Sequence, residues 1–354
     1  MSAPDRIRAL IVDDSVVIRR LVSHALSEDP ALEVIGAAAN GVIALKMIEA
    51  ARPDVVTLDI EMPEMDGLET LRRIRQLYPQ IVVIMFSTLS ERGAAVTLEA
   101  LSLGANDYVT KAANIGSLNV SLARLRDDLV PKIKQFFPNG ARPSAPAPAA
   151  PPALPKPTVR TPKVSAIRKA VAIGVSTGGP NALADLLPLI PAAFSLPIFI
   201  VQHMPPVFTR LLAERLQAMT KLRVLEASDG IPVHAGTVYI APGDFHMRVC
   251  RRAAEKFISL DRSEPENFCR PSVDPLFRSV ADIYGGAAIA VILTGMGQDG
   301  LLGAERLRQE GAWIIAQDEA SSVVWGMPGA VVRAGLTDTV ADLKSIVPEI
   351  LRQV

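Results

Sequence analysis

The stretch 171–180, with the sequence VAIGVSTGGP, carries the first residue suited to covalent chemistry. A short apolar run leads directly to Ser176, glycines lie on both sides of it, and Pro180 is typical of the first turn of a helix. A strand-to-helix turn of this kind exposes the serine at the carboxyl end of the strand, where backbone N–H groups also point. The pattern favours a nucleophile, and it also fits a phosphate-binding turn or a purely structural turn.

A nucleophilic serine needs a base and a carboxylate, and the chain offers both after other apolar runs. His203 follows the run 198–201, and Asp299 lies in a glycine-rich loop after the run 288–293. If these strands are parallel, the three side chains emerge at one edge of the sheet. The sequence therefore predicts a triad in which Ser176 attacks, His203 accepts its proton and Asp299 orients the imidazole.

Other residues compete for some of these roles. His246 is a second candidate base, Asp318 also follows a strand and is a second candidate carboxylate, and Asp299 has an alternative role as a helix N-cap. Backbone N–H groups near Thr177 and in the glycine-rich loop around Met296 are the candidates for an oxyanion site.

A second cluster of polar residues follows the strands of the amino-terminal part. Asp13 and Asp14 end one apolar run and Asp59 ends another. Carboxylates crowded together repel one another unless a cation neutralises them, which predicts a hard divalent ion, best Mg²⁺. Its ligands would be the carboxylates of Asp14 and Asp59 within this aspartate cluster and the backbone carbonyl of Glu61.

The same edge provides groups for a phosphoryl ligand. One carboxylate oxygen of Asp59 would stay free to attack phosphorus, while Ser87 and Lys111, which follow later strands, would hold the phosphoryl oxygens. The alternative is an acidic surface rim without chemistry.

The totals exclude several classes of protein. The 354 residues include 37 Lys and Arg against 37 Asp and Glu, so no nucleic-acid partner is indicated. Apolar runs fall short of the ~18 residues of a membrane span, and no secretory signal pattern is present. We therefore expect a cytoplasmic protein without direct membrane insertion. The two cysteines, Cys250 and Cys269, are expected to be small buried residues rather than ligands or a disulfide framework.

The elements that position these residues alternate between strands and helices, which predicts an α/β protein with two doubly wound parallel-sheet domains. The first, at 1–137, is five-stranded and flavodoxin-like. The second, at 165–354, is larger and Rossmann-like, with an added β-hairpin at 247–250 and 256–260. Between them, residues 138–164 form a linker rich in proline and alanine, which cannot bury a core and should be extended.

The first domain resembles the receiver domain of two-component response regulators. The similarity lies in DD at 13–14, LDIEMPEMDG at 58–67, FST at 86–88 and DYVTK at 107–111. It implies that Asp59 is the phosphoacceptor, Ser87 the switch hydroxyl and Tyr108 the aromatic residue that moves with it. The family usually has proline after the lysine, where this chain has Ala112.

The second domain resembles the protein-glutamate methylesterases of bacterial chemotaxis. The similar blocks are GVSTGGP at 174–180, VQHMP at 201–205, YIAPG at 239–243, RPSVD at 270–274, LTGMGQDG at 293–300 and GMP at 326–328. The resemblance implies hydrolysis of glutamate methyl esters on the cytoplasmic helices of methyl-accepting chemoreceptors, and deamidation of receptor glutamines. It places Thr177 and Met296 beside the acyl site, and it implies a chemotaxis histidine kinase as phosphodonor.

A receiver fused to a hydrolase implies control of the second domain by phosphorylation of the first. In such a scheme the unphosphorylated receiver covers the Ser176 cleft, and charge added at Asp59 shifts its packing. Two alternative functions are a non-enzymatic signalling adaptor, whose second domain binds a partner, and a nucleotide-binding α/β domain. Nucleotide binding is disfavoured because the chain lacks an acid or a lysine at the spacing from the glycine-rich turn that it needs.

Overall fold

The structure is a computed structural model that describes residues 6–111, 118–138 and 167–354. The chain divides into two compact units, residues 1–150 and 151–354. The boundary falls inside the predicted linker, most of which lies outside the described residues. No helix in the described part of the chain is long and apolar enough to cross a membrane.

The first unit contains a five-stranded sheet in the order β2-β1-β3-β4-β5, in which every pairing is parallel. Strands β3 and β4 are buried at every position because helices cover both faces of the sheet. The flavodoxin-like prediction is confirmed. The strands are β1 (Ile7–Val12), β2 (Leu32–Ala38), β3 (Val55–Asp59), β4 (Val82–Ser87) and β5 (Asp107–Thr110).

Five helices alternate with these strands, and four of them begin at a side-chain cap. Ser15, Asn40, Asp66 and Ser90 each accept a hydrogen bond from a backbone N–H in the first turn. The helices are α1 (Val16–Ser27), α2 (Gly41–Ala51), α3 (Gly67–Leu77), α4 (Glu91–Ser102) and α5 (Leu118–Lys134).

The second unit is built on a seven-stranded sheet in the order β14-β13-β12-β6-β7-β9-β8, again with parallel pairings throughout. Strand β6 lies near the middle and is buried at each of its positions. The strands are β6 (Ala170–Val175), β7 (Ile198–Gln202), β8 (Arg223–Glu226), β9 (Thr237–Ile240), β12 (Ala288–Ile292), β13 (Trp313–Gln317) and β14 (Thr339–Ala341).

The added hairpin is present and forms a separate antiparallel pair, β10 (His246–Arg252) with β11 (Glu255–Asp261). Met247, Val249 and Ile258 of this hairpin belong to the same buried core as Val273 and Phe277. The hairpin therefore packs on the helix that contains those two residues and supports the loop that connects β11 to it.

The helices of the second unit follow the strand ends as expected of a doubly wound fold. They are α6 (Gly179–Leu186), α7 (Phe208–Met219), α8 (Val273–Tyr284), α9 (Leu301–Glu310), α10 (Met327–Arg333) and α11 (Leu343–Arg352). The local sequence pattern does not predict β14, α10 or α11. Strand β14 is three half-buried residues at the sheet edge, α10 has proline in its first turn and α11 contains Pro348, so their local patterns are weak.

Candidate functional site

Ser176 and His203 follow neighbouring strands at the same edge of the second sheet. Val175 pairs with Gln202 in the β6–β7 ladder, and the backbone N–H of His203 donates to the carbonyl of Val175 over 3.1 Å. The next residue of each strand is therefore Ser176 on one side and His203 on the other. The two residues share one rim of the sheet, as the triad prediction requires.

Asp299 reaches the imidazole from the other side of β6. It lies in the loop between β12 and α9, and β12 pairs directly with β6 on the side opposite β7. Its Oδ2 is 2.7 Å from His203 Nε2. The side chains are 2% and 12% exposed, respectively, so this ion pair is nearly shielded from water. The base and the carboxylate of the predicted triad are thus in direct contact.

Many donors surround the Asp299 carboxylate. Besides the imidazole, it accepts hydrogen bonds from the N–H groups of Val273 (2.6 Å), Asp274 (3.1 Å) and Gly300 (2.9 Å) and from the Ser272 hydroxyl (2.8 Å). Burial by itself would raise the pKa of Asp299, but the bond from His203 and these further donors lower it to about 2. The group is a stable anion and fixes the tautomer of the ring.

The remaining ring nitrogen of His203 faces a thiol. Cys269 Sγ lies 3.6 Å from Nδ1, and within residues 167–354 no hydrogen bond joins the Ser176 hydroxyl to the ring. Because Asp299 accepts the proton on Nε2, the basic lone pair is on Nδ1. Ser176 would use this nitrogen after a side-chain rotation, since catalytic hydrogen bonds often close only when substrate is bound.

The Ser176 backbone is held by contacts that the sequence analysis did not identify. Its N–H donates to the Thr294 carbonyl over 3.0 Å, and its carbonyl accepts from Gln202 Nε2, also over 3.0 Å. Gly295 lies directly against it, because a Cβ at that position would be 2.7 Å from Ser176 Cβ. The loop that carries Met296 therefore passes beside Ser176, as its predicted place beside the acyl site requires.

Thr177 and Met296 differ in exposure. Thr177 is 8% exposed and its carbonyl accepts from the Thr294 hydroxyl, whereas Met296 is 39% exposed. Their role beside an acyl group stays a prediction.

Gly178 has φ +80°, a left-handed conformation that favours glycine, which allows the tight turn into α6.

The competing residues are occupied elsewhere. His246 is fully buried, with Nδ1 accepting from the Ser272 N–H over 3.2 Å and Nε2 3.1 Å from the Glu264 carbonyl, so both ring nitrogens are structural. Asp318 accepts from the backbone and hydroxyl of Ser321 and stabilises a turn. Neither contacts the pair formed by His203 and Asp299.

Cys269 influences the titration of His203. Burial opposes protonation of the ring, but Cys269 and Asp299 outweigh it and raise the pKa of His203 to about 10. Both cysteines were expected to be small buried residues; instead Cys250 and Cys269 are half-buried, and Cys269 contacts His203. Spacing gave no signal for this contact, because 66 residues separate the two side chains.

We expect Cys269→Ala to shift the pH profile of the esterase. The free base is the active form, so activity rises with pH through the pKa of His203, and a lower pKa moves this rise to lower pH. Loss of one such interaction should move the acid limb of kcat/KM down by about one pH unit. The measurement is kcat/KM against pH, with Cys250→Ala as the matched control. An unmoved limb in the Cys269 variant would mean that the thiol does not act on the base.

The first unit has its own polar cluster at the carboxyl edge of the sheet. Carboxylate oxygens of Asp13, Asp14 and Asp59 all lie within 4.8 Å of one another. Lys111 Nζ is 2.9 Å from Asp13 Oδ2 and 2.8 Å from Asp59 Oδ1. Lys111 is thus seated against Asp59 although Ala112 follows it.

This donor set fits a hard divalent ion. Three carboxylates within 4.8 Å carry more negative charge than the single Lys111 ammonium balances, and oxygen ligands suit Mg²⁺. Burial, opposed by the Lys111 bond and aided by the Asp13 charge, raises the pKa of Asp59 to about 6. Burial lowers and the two aspartates raise the pKa of Lys111, with a net increase.

The cavity beside Asp59 has a volume of about 180 Å³, and its lining includes Asp14, Glu61, Thr88 and Lys111. The Glu61 side chain points to Arg92, with 3.7 Å between the charged atoms, which leaves the backbone carbonyl as its predicted ligand.

Ser87 and Tyr108, the predicted switch residues, are both buried. The Ser87 hydroxyl accepts a hydrogen bond from the Thr97 hydroxyl over 2.6 Å and donates one to the Gly93 carbonyl over 3.1 Å, so it faces α4 rather than the cavity. The neighbouring Thr88 lines the cavity instead. Ser87 would therefore have to rotate to hold a phosphoryl oxygen. The Tyr108 ring packs under Lys132 Nζ at 5.2 Å from its centroid, and burial raises its pKa well above the usual value.

The fold and the two sites define a class: a receiver-like α/β domain followed by a larger doubly wound α/β domain with a serine and a His–Asp pair on one sheet edge. Two family descriptions match this division, the response regulator receiver domain at residues 9–123 and CheB methylesterase at residues 171–350. The chain belongs to the CheB family of chemotaxis response regulators with a methylesterase domain.

Similar proteins extend over the full length. A protein-glutamate methylesterase/protein-glutamine glutaminase of Trichodesmium erythraeum is 49% identical over 349 residues, which cover 99% of each chain. One from a Nocardioides species is 51% identical over 352 residues, covering 98% of this chain and 95% of the relative. The solved catalytic domain of Thermotoga maritima CheB methylesterase is 44% identical, covers 53% of this chain and 100% of that domain, and superposes with a TM-score of 0.52. This similarity favours an enzyme over a signalling adaptor.

Proposed function

We propose that this chain hydrolyses glutamate γ-methyl esters on methyl-accepting chemoreceptors, with Ser176 as nucleophile, His203 as base and Asp299 as the group that orients the base. The proposal rests on the contact of 2.7 Å between His203 Nε2 and the buried Asp299 carboxylate. Ser176 follows β6, the strand between the two strands that precede His203 and Asp299. This arrangement supports covalent acyl transfer.

The proposed reaction has two halves. Ser176 Oγ attacks the ester carbonyl while His203 Nδ1 takes its proton, and the imidazolium then gives that proton to the departing methoxide, which leaves as methanol. Water, deprotonated by the same nitrogen, attacks the acyl-serine and releases glutamate and the free serine. With a glutamine substrate the leaving group is ammonia, so the same residues serve deamidation.

The carbonyl oxygen becomes an anion in both halves. Backbone N–H groups near Thr177 and in the Met296 loop are the proposed donors, because Gly295 brings that loop against Ser176. A single donor of this kind is worth roughly 10² to 10³ in kcat.

The direct test is methanol release from membranes that contain methylated chemoreceptors, together with ammonia release from the glutamine forms of the same receptors. We expect both products from the full chain. If neither product formed while the receiver still became phosphorylated, the esterase proposal would fail.

We also propose that phosphorylation of Asp59 controls the esterase, with a chemotaxis histidine kinase as donor in the cytoplasm. Asp13, Asp14 and Asp59, with the Glu61 carbonyl, would hold Mg²⁺. When bound, the ion supplies positive charge that offsets the carboxylates and the incoming phosphoryl group. Lys111, already in contact with Asp59, would pair with the phosphoryl oxygens.

Asp59→Asn is expected to abolish stimulation by a phosphodonor. The amide cannot accept the phosphoryl group, so methanol release should stay at its basal rate with acetyl phosphate and Mg²⁺, whereas the unsubstituted chain gains about tenfold, equivalent to ~1.4 kcal/mol between two states. Asp54→Asn, at the opposite end of β3, is the matched control and should be stimulated normally. Full stimulation of Asp59→Asn would place control elsewhere.

A further inference from the structure

The loop between β11 and α8 holds an aromatic side chain in solvent at the mouth of the site. Phe268 is 103% exposed, yet its chain neighbours on both sides touch the proposed triad. Asn267 Nδ2 donates to Asp299 Oδ1 over 2.9 Å, and Cys269 Sγ lies 3.6 Å from His203 Nδ1. Phe268 therefore has a fixed position within one residue of the catalytic contacts.

The backbone at this position is unusual. Asn267 has φ +52° and Phe268 has φ +62°. Asparagine tolerates this left-handed region, but a bulky aromatic residue rarely adopts it. A polar or glycine residue would suit an exposed turn better, so the apolar ring in a strained conformation points to a role outside folding.

The turn is held rigidly at its base. Glu266 and Cys269 exchange two backbone hydrogen bonds of 3.2 and 2.9 Å, and Arg278 Nη2 contacts both oxygens of the Glu266 carboxylate at 2.6 and 2.9 Å. Asn267 also donates to Asp274 over 2.9 Å. A ring presented on such a base loses little conformational freedom when it binds.

Exposed apolar groups also lie beside the nucleophile. Val323 is 47% exposed and lies directly against Gly178, because a Cβ on Gly178 would be only 2.6 Å from Val323 Cγ2. Met296, 39% exposed, follows the glycine that touches Ser176. The rim of the site thus presents apolar side chains near Ser176 as well as near His203, as expected of a surface that receives a protein rather than a small ester.

We propose that Phe268 is a docking anchor that packs on the protein segment carrying the reacting glutamate. The inference rests on the proposed function, because a glutamate side chain on a folded receptor can reach Ser176 only if the flanking receptor surface contacts this rim. Rigid aromatic side chains are the residues that most often dominate such contacts. Phe268 would then set the affinity for the receptor without taking part in the chemistry.

The experiment compares a protein ester with a small one, using the full chain with acetyl phosphate and Mg²⁺. Phe268→Ala should raise KM for methylated receptor membranes about tenfold to thirtyfold with kcat within twofold, the range for loss of an aromatic anchor. Its kcat/KM for p-nitrophenyl acetate should stay within twofold. Phe268→Trp should restore most of the affinity. Met219→Ala, an exposed apolar residue at the far end of α7, is the matched control and should change neither substrate.

Each other result overturns the proposal. An unchanged KM for the receptor would show that the ring makes no contact with it. Equal loss on both substrates would assign Phe268 to the integrity of the site, and faster hydrolysis of both would assign it to restraint by another part of the chain. Failure of the proposed function is separate, because it would appear as a Ser176→Ala variant that retains full activity on both substrates.

Discussion

Ser176→Ala is expected to reduce methanol release from methylated chemoreceptors by about 10⁴-fold to 10⁶-fold, the range for loss of a nucleophilic serine in an acyl-transfer triad. Without the Ser176 Oγ no acyl-enzyme can form, and His203 has no serine proton to accept. The loss should fall on kcat, since the side chain removed is small and the rim of the site is unchanged. Initial rates of methanol release against receptor concentration give kcat and KM separately.

Two controls show whether this loss is chemical. Ser228→Ala, at an exposed serine after β8, should keep its rate within twofold. The Ser176 variant should keep its thermal midpoint and its phosphorylation at Asp59, because Ser176 is held through backbone contacts that alanine preserves. If Ser176→Ala retained more than a tenth of the normal kcat, Ser176 would be a turn residue and the nucleophile would lie elsewhere.

Asp299→Asn is expected to cost about 10³-fold to 10⁴-fold in kcat. The carboxylate accepts from the imidazole, Ser272, Asn267 and the N–H groups at its edge, so almost every neighbour is a donor. The asparagine side chain of the variant brings two N–H groups into this set of donors. If they face the ring, Nε2 becomes the acceptor and the proton moves to Nδ1, which removes the lone pair that Ser176 needs.

Asp274→Asn is the matched control, because this carboxylate is equally buried and lies beside Asp299. Burial and the Asp299 charge raise the pKa of Asp274 to about 6, although the hydrogen bond from the Gly303 N–H opposes them. Asp274 should therefore tolerate a neutral replacement better than Asp299 does. We expect a rate within tenfold of normal for this variant. Equal losses in the two variants would indicate disturbed packing rather than a lost tautomer.

The positions of the main chemical groups could be predicted because they depend on short-range patterns. An apolar run followed by a polar residue marks the carboxyl end of a buried parallel strand. Parallel strands bring such ends to one edge. This reasoning located Ser176, His203 and Asp299 in the second domain, and it located Asp59 with Lys111 in the first.

The contacts of Cys269 and Asn267 could not be predicted in this way. Both lie in the loop after the β10–β11 hairpin, which has no periodic pattern, and they reach His203 and Asp299 across 66 and 32 residues. Their places depend on how the hairpin packs against α8. A half-buried cysteine and a loop asparagine have no sequence signature of that packing.

The direction of a side chain was likewise decided by tertiary structure. Ser87 and Thr88 are adjacent and similar, and the sequence favours the first for the phosphoryl site, yet the structure turns Ser87 toward Thr97 and Thr88 toward the cavity. Ser87 is the last residue of β4 and Thr88 lies just beyond it, so the backbone at the strand end determines which hydroxyl faces the cavity.

By itself the sequence determined the α/β architecture and the strand ends at which the proposed phosphoacceptor Asp59 and the proposed triad residues lie, because local hydrophobic pattern controls where strands end. Only the tertiary structure decided that Asp299 bonds His203 Nε2, that Cys269 lies against His203 Nδ1, and that Phe268 is exposed beside them. These features arise from contacts between segments distant in the chain, where packing and hydrogen-bond geometry rather than periodicity set the outcome.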